Sequence, residues 1–222
     1  MTSIEAYNRF LLKINKVDTN TEIAILTSFF VLLYNSERLR WLSDKIKQKS
    51  TDSNINYISE LLVSDYELNF NEKKDIYTTF NLLDDFFLYV SSISYASNDV
   101  CERMLFNYLI DLKNRNSYYE DEFKSLSFDW EETFVELSNN NLLVFTKDFF
   151  LVKVNLDYYR KPSEIDIDGY INSEGNESTN INLDLSDIWV NEIIDRCALE
   201  VIRQYENLQG FELGVDRINR ET

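Results

Sequence analysis

The chain reads as an α+β fold, with helices from both chain ends packed together and a β-rich, mainly antiparallel middle. Three observations predict it. The first ~60 residues and the stretch from Asp187 to Gln209 place apolar side chains at helical spacing. Between them lie short aromatic and β-branched runs bounded by polar clusters, the texture of strands. Four glycines and one proline in 222 residues are too few for a loop-rich or disordered chain.

Thr2 and Glu5 fit a capping box, in which each side chain satisfies the other's backbone N–H. Behind it Ile4, Tyr7, Phe10, Leu11 and Ile14 fall at helical spacing, so a first helix is expected to about Asn15. Polar Asp18 to Glu22 interrupts it. A second helix is read from about Thr27 to Lys49, apolar all round from Phe29 to Tyr34 and amphipathic through Leu39, Trp41, Leu42 and Ile46. Its first half also fits a buried strand. Ser50 to Asn54 is a loop, and Ile55, Ile58, Leu61 and Leu62 suggest a short third helix.

Strand texture begins near Ile76, with runs over Phe86–Ser92 and Met104–Ile110. Lys113 to Lys124 reads as a charged, tyrosine-rich loop with a helical turn. Thr133–Leu137, Leu142–Phe145 and Phe149–Tyr159 form a meander, turning at Asn139-Asn140 and Lys147-Asp148. In its third strand Phe150, Val152, Val154, Leu156 and Tyr158 are expected on one packed face, opposite Lys153, Asn155 and Asp157. The last helix starts behind Asp184 or Ser186, with Asp187 in its positive first turn. Val190, Ile194, Cys197, Val201 and Tyr205 make one stripe, and Gly210 suits its end. The expected organisation is thus a helical portion over 1–70 and 185–209, a β-rich portion over 76–162, an acidic connecting loop over 163–184 and a tail over 210–222.

Composition narrows the chemistry. Histidine is absent, which removes the commonest general base, the usual metal ligand and every Ser-His or Cys-His triad. No phosphate-cradling GxxxxGK[ST] or GxGxxG occurs. With 39 acidic residues, pairs such as Asp84-Asp85, Glu131-Glu132 or Glu120-Asp121-Glu122 read as solvated charge rather than as an acid/base site. Asp166-Ile167-Asp168-Gly169 opens like a calcium loop, yet Tyr170 and Ile171 stand where a third ligand and a glycine belong. No metal or other cofactor is expected, and no enzyme. Cys101 and Cys197 form no zinc or redox spacing and read as two ordinary thiols of a reducing compartment. Asn176-Glu177-Ser178 is a formal glycosylation sequon, relevant only on secretion. No apolar run reaches the ~18 residues of a membrane span, and Met1 to Glu5 lacks the build of a signal peptide. A net charge of −17 opposes docking onto phosphate backbones or anionic lipid. Such acidity serves solubility, a basic partner, or a wall past which another polyanion slides. Aromatic pairs such as Phe86-Phe87, Tyr118-Tyr119 and Phe149-Phe150 sit among acids rather than among Lys and Arg, so they read as core or interface, not base-stacking platforms.

Several segments, in shared order, resemble a family of virion ring proteins from the tails of crAss-like bacteriophages. They are Glu5–Asn15, Phe30–Asn35, Arg40-Trp41-Leu42, Tyr158–Pro162 with Ile165–Ile171, Ser178–Leu185 and the last helix. The pattern departs at Thr27-Ser28, where a Lys-Gly pair is expected. The resemblance implies a non-enzymatic virion subunit of the head–tail connector or tail barrel, made in the host cytoplasm. It further implies a ring of about twelve copies, closed by one patch meeting a different patch. That ring would stack against the portal and other ring or nozzle proteins, with DNA passing through the bore unbound and no membrane involved. At −17 per copy, about twelve copies would carry about 200 negative charges, whose field decays within ~8 Å at neutral salt. Arg160, Lys161, Asp166, Asp168 and Tyr170, on the connection between a strand and a helix, are the expected partner-contact residues. The competing reading is an acidic inhibitor or DNA mimic that binds a basic host protein; a carboxylate hydrolase trails both.

Overall fold

A computed structural model of the chain describes residues 1–15, 24–49, 59–111, 126–171 and 175–220, with Lys113 and Tyr118, and the side chains of the last helix as far as Gln204. The fold is α+β. It divides into two units, Met1–Glu60 with Pro162–Thr222, and Leu61–Lys161.

The first unit holds three helices, α1 (Ser3–Asn15), α2 (Thr27–Lys49) and α3 (Asp187–Arg220). The capping box forms: Thr2 N–H donates to Glu5 Oε2 at 2.9 Å, and Glu5 N–H to Thr2 Oγ1 at 3.2 Å. The first half of α2 is helix, not strand, and it begins at Thr27. Phe10, Phe30 and Tyr34 are all buried, with Phe30 centred 4.8 Å from Phe10 and 5.8 Å from Tyr34. Trp41 is buried 5.5 Å from Trp189 of α3. Around this apolar interior the helices are laced by Lys13–Asp195, Arg9–Asn191, Lys45–Glu192 and Arg196–Asp44. Val190, Ile194, Cys197 and Val201 are buried as their stripe requires; Tyr205 lies outside the described side chains. The expected tail over 210–222 is corrected: α3 continues through Gly210 to Arg220. Each of its two interior glycines, Gly210 and Gly214, costs the helix only about 1 kcal/mol, and the flanking Leu, Glu and Arg favour continuation.

The second unit is an eight-stranded sheet: β1 (Leu62–Glu67), β2 (Phe70–Lys73), β3 (Tyr77–Asn81), β4 (Phe86–Ser97), β5 (Glu102–Leu109), β6 (Glu132–Ser138), β7 (Asn141–Phe145) and β8 (Phe150–Arg160). Strand texture is read only from near Ile76, and β1 and β2 lie before that point. Leu61 and Leu62, assigned to a third helix, instead end a 3-10 turn over Ser59–Leu61 and begin β1; Ile55 and Ile58 fall outside the described residues. The helical portion therefore stops near residue 60 rather than 70. The order is β1-β8-β4-β5-β6-β7-β3-β2, antiparallel throughout except for β5 with β6.

The two outermost strands, β1 and β2, are consecutive in the chain, separated only by Leu68 and Asn69. Leu68 N–H donates to Val154 O on β8, and Asn69 O accepts from Asn81 N–H at the end of β3. Val154, Leu156 and Tyr158 of β8 share one core with Phe80, Leu142 and Val144 from the far side of the strand order. The sheet therefore curls round on itself, and the β1–β2 run closes it like a barrel. The turn at Asn139 has the positive φ (54°) that asparagine tolerates. The packed face expected along β8 holds only in part. Val154, Leu156 and Tyr158 point into the core, whereas Phe150 and Val152 are exposed. The register against β4 slips between Tyr95 and Ala96, so that Lys153 and Leu151 are their partners and Val152 is skipped. An extra residue reverses the facing of everything beyond it.

Candidate docking site

The expected connector over 163–184 belongs to the helical unit and is held by a polar frame. In α2, Asn35 interrupts the apolar run. Its side chain receives Ile165 N–H on Oδ1 and donates from Nδ2 to Ile165 O, each at 3.0 Å. One turn on, Arg38 is buried and donates to Asn35 O, to Pro162 O and to Glu164 Oε1. Asp184 Oδ2 takes both the N–H and the hydroxyl of Ser163, at 2.9 and 2.8 Å. Asp184 is thereby spent on the loop, and Ser186 stands immediately before α3.

Inside that frame Asp166 is the organising residue. Its Oδ1 accepts from Ile167 N–H and from the Tyr170 hydroxyl (2.6 Å), its Oδ2 from Thr179 N–H, and its carbonyl from Ile181 N–H. Asp168 N–H donates to Asn180 Oδ1, and Tyr170 exchanges bonds with Ser178 through N–H to Oγ and O from N–H. Gly169 supplies a φ of +110° that a side chain would resist. The turn is thus held by bonds within the chain itself. Its outward groups are Asp168, Ile171 (72% exposed) and Ile181.

The five expected contact residues separate. Arg160 and Lys161 belong to the sheet unit, while Asp166, Asp168 and Tyr170 belong to the helical unit. Lys161 is exposed yet tied to the turn before β4, its N–H on Asp85 O and its Nζ on Asp84 O. Arg160 ends β8, with Nη1 3.4 Å from Lys161 O. Asp166 and Tyr170 serve the frame, Asp168 faces outward, and Ile171, which was not among the five, is the most exposed apolar group described on the turn. The carboxylates weighed as acid/base pairs take tyrosine hydroxyls instead: Asp85 from Tyr158 and Glu132 from Tyr108, both at 3.1 Å. The Glu120 cluster lies outside the described residues.

Burial alone would raise the Asp166 carboxyl, but the Tyr170 hydroxyl and the Thr179 and Ile167 amides outweigh it and hold it below its ordinary 3.8. Burial and the same bond push Tyr170 up to about 12. A depressed carboxylate stabilises the fold fully above its unfolded value and loses that contribution as pH falls through the lower folded value. The turn is therefore expected to loosen below about pH 4, where the unfolded carboxyl titrates. Asp166→Ala should reproduce that at neutral pH, loosening the turn by about 2 kcal/mol through lost bonds to a charged acceptor. Faster hydrogen exchange at the Thr179 and Ile167 amides, with an unchanged far-UV spectrum, is the expected reading.

No protein-family model matches the chain. Among curated proteins it is 31% identical over 103 residues to potassium channel K2 of Plasmodium falciparum (isolate 3D7), a match spanning 46% of this chain and 6% of the channel. The chain thus covers a small fraction of that relative. Among the described residues no helix is long and apolar enough to cross a membrane.

Proposed function

We propose that the chain is a non-catalytic building block of a bacteriophage head–tail connector or tail ring, assembled as a closed ring round the path of the genome. The observation that carries this reading is the internally bonded turn formed by residues 163–171 and 175–184. It takes its frame from Asn35, Arg38, Asp166 and Asp184 and turns Asp168 and Ile171 outward. Ordered loops with outward apolar and charged groups bind with little further loss of entropy, as a docking element must. Two supports come from the sequence: the motif order shared with crAss-like tail ring proteins, and the −17 charge, which suits a wall that DNA passes without adhering.

Proteomics and cryo-electron microscopy of the mature particle test the reading directly. The chain should occupy an annular density at the head–tail junction. Absence from a fully assigned tail, together with saturable binding to a basic DNA-binding protein, would instead make it an inhibitor. Within the particle, the variant Asp168→Lys/Ile171→Asp should fold normally, since both groups face solvent, yet lower incorporation at least tenfold. Unchanged incorporation would remove the turn from the interface.

A further inference from the structure

The inner face of β4 is lined by small side chains. Ser92, Ser94 and Ala96 follow one another along it and are 4%, 0% and 0% exposed. Their neighbours in register are larger: Leu156 beside Ser92, and Val154 and Leu105 on either side of Ser94. The interior of the sheet unit is divided at this point. Val154, Leu156 and Tyr158 belong to one apolar cluster, Ala96 and Leu105 to another with Phe128 and Phe149, and partly buried Leu151 packs against both. A serine delivers less volume to such an interior than the leucines and valine around it.

Two polar atoms in this region are left over. Ser94 Oγ and Asn107 Oδ1 are both enclosed, and neither meets a hydrogen-bond partner among the described residues. The polar atoms beside them are engaged. Asn107 Nδ2 donates to Ser92 Oγ at 2.7 Å, and Ser92 Oγ lies 2.9 Å from the Tyr89 hydroxyl. The Asn107 amide, reaching across from β5, is thus fixed by its nitrogen against Ser92. Ser94 is the next inward residue, about 6.8 Å along the strand. A single water, with bonds of about 2.8 Å to each side, spans most of that step. A buried polar atom without a partner carries the full cost of its desolvation, which native interiors seldom leave unmet.

We infer that the sheet unit holds an internal water between β4 and β5, donating to Asn107 Oδ1 and accepting from the Ser94 hydroxyl. Both groups are neutral, which selects water over an ion. Interior waters occupy sites of this kind, polar on two sides and apolar around, and bond to groups the protein leaves unpaired. The water extends the Tyr89–Ser92–Asn107 chain of hydrogen bonds to Ser94, where the two apolar clusters adjoin. The inference concerns the interior of the sheet unit alone and stands apart from the phage reading.

Oxygen-17 relaxation dispersion, which detects waters held inside a protein, tests it on the full chain and on Ser94→Ala, with the fold of the variant verified by circular dichroism. Wild type should show one more held water than Ser94→Ala. The variant's folding equilibrium constant, read from urea denaturation, should fall about fivefold or more, because Asn107 Oδ1 loses its bridge. An equal water count in the two chains would overturn the inference, whether the hydroxyl binds Asn107 directly or binds nothing. A Ser94→Ala chain as stable as wild type, or more stable, would overturn it as well, since that is the mark of a hydroxyl buried without a partner.

Discussion

Ile194→Asp is expected to abolish cooperative folding of the helical unit. Ile194 is wholly inaccessible on α3, beside Val190, Ile193, Cys197 and Ala198 on the buried face. Burial pushes the Cys197 thiol well above its ordinary range, and the nearby Glu37 carboxylate adds to the rise. A carboxylate placed there has no described cation to meet. It must stay protonated or remain unpaired, at a cost of several kcal/mol. Removing the isoleucine forfeits about 2–4 kcal/mol more in transfer and packing. Together these approach the 5–15 kcal/mol total of a typical domain. The expected result is a helical signal without a cooperative thermal transition, while Ile194→Val, losing about 1 kcal/mol, melts normally. A variant aspartate that melted within about 1 kcal/mol of wild type would mean that this face of α3 is wet.

Arg38→Met is expected to be the most damaging polar substitution for the docking turn. The guanidinium is only 3% exposed on its side chain, yet it serves the Asn35, Pro162 and Glu164 oxygens. Burial lowers its pKa, and Glu164 and Asp184 oppose that drop. Methionine fills the space but leaves the buried Pro162 carbonyl short of a donor, costing about 1–3 kcal/mol for the unsatisfied group. Arg38→Lys should rescue little, because one ammonium cannot span three acceptors set apart in a fork. Glu164→Gln should change stability by under about 1 kcal/mol, since Glu164 is mostly exposed and an exposed partner contributes little. Exchange protection over Ser163–Ile167 distinguishes these cases: lost in both Arg38 variants, retained in Glu164→Gln.

Helices α1 and α3 and the second half of α2 were legible from their periodic apolar stripes and, for α1, a cap written in Thr2 and Glu5. Strands β4 to β8 were legible from their bounded aromatic runs. What escaped notice depended on partners distant in sequence. Leu62–Glu67 has no clean alternation, and only pairing with β8 makes it a strand. The slip at Val152 is a property of two strands and cannot be read from one. The bonds within the turn over residues 163–171 and 175–184 were not legible in the sequence. An aspartate that braces a turn and one that faces a partner are the same letter, and only the Tyr170 and Thr179 bonds mark Asp166 as the brace. Asn35 and Arg38 offered a signal in retrospect, as polar residues set in a strongly apolar helix.

The sheet unit is a single excursion, Leu61–Lys161, between two halves of the helical one. Bringing the ends of about 100 flexible residues together would cost the helices about 4 kcal/mol in chain entropy. Strand β1 pairs directly with β8, placing Leu62 opposite Tyr159, so a formed barrel already holds entrance and exit side by side. Closure of the insert by its own strands thus lifts that entropic burden from the packing of α1 and α2 on α3.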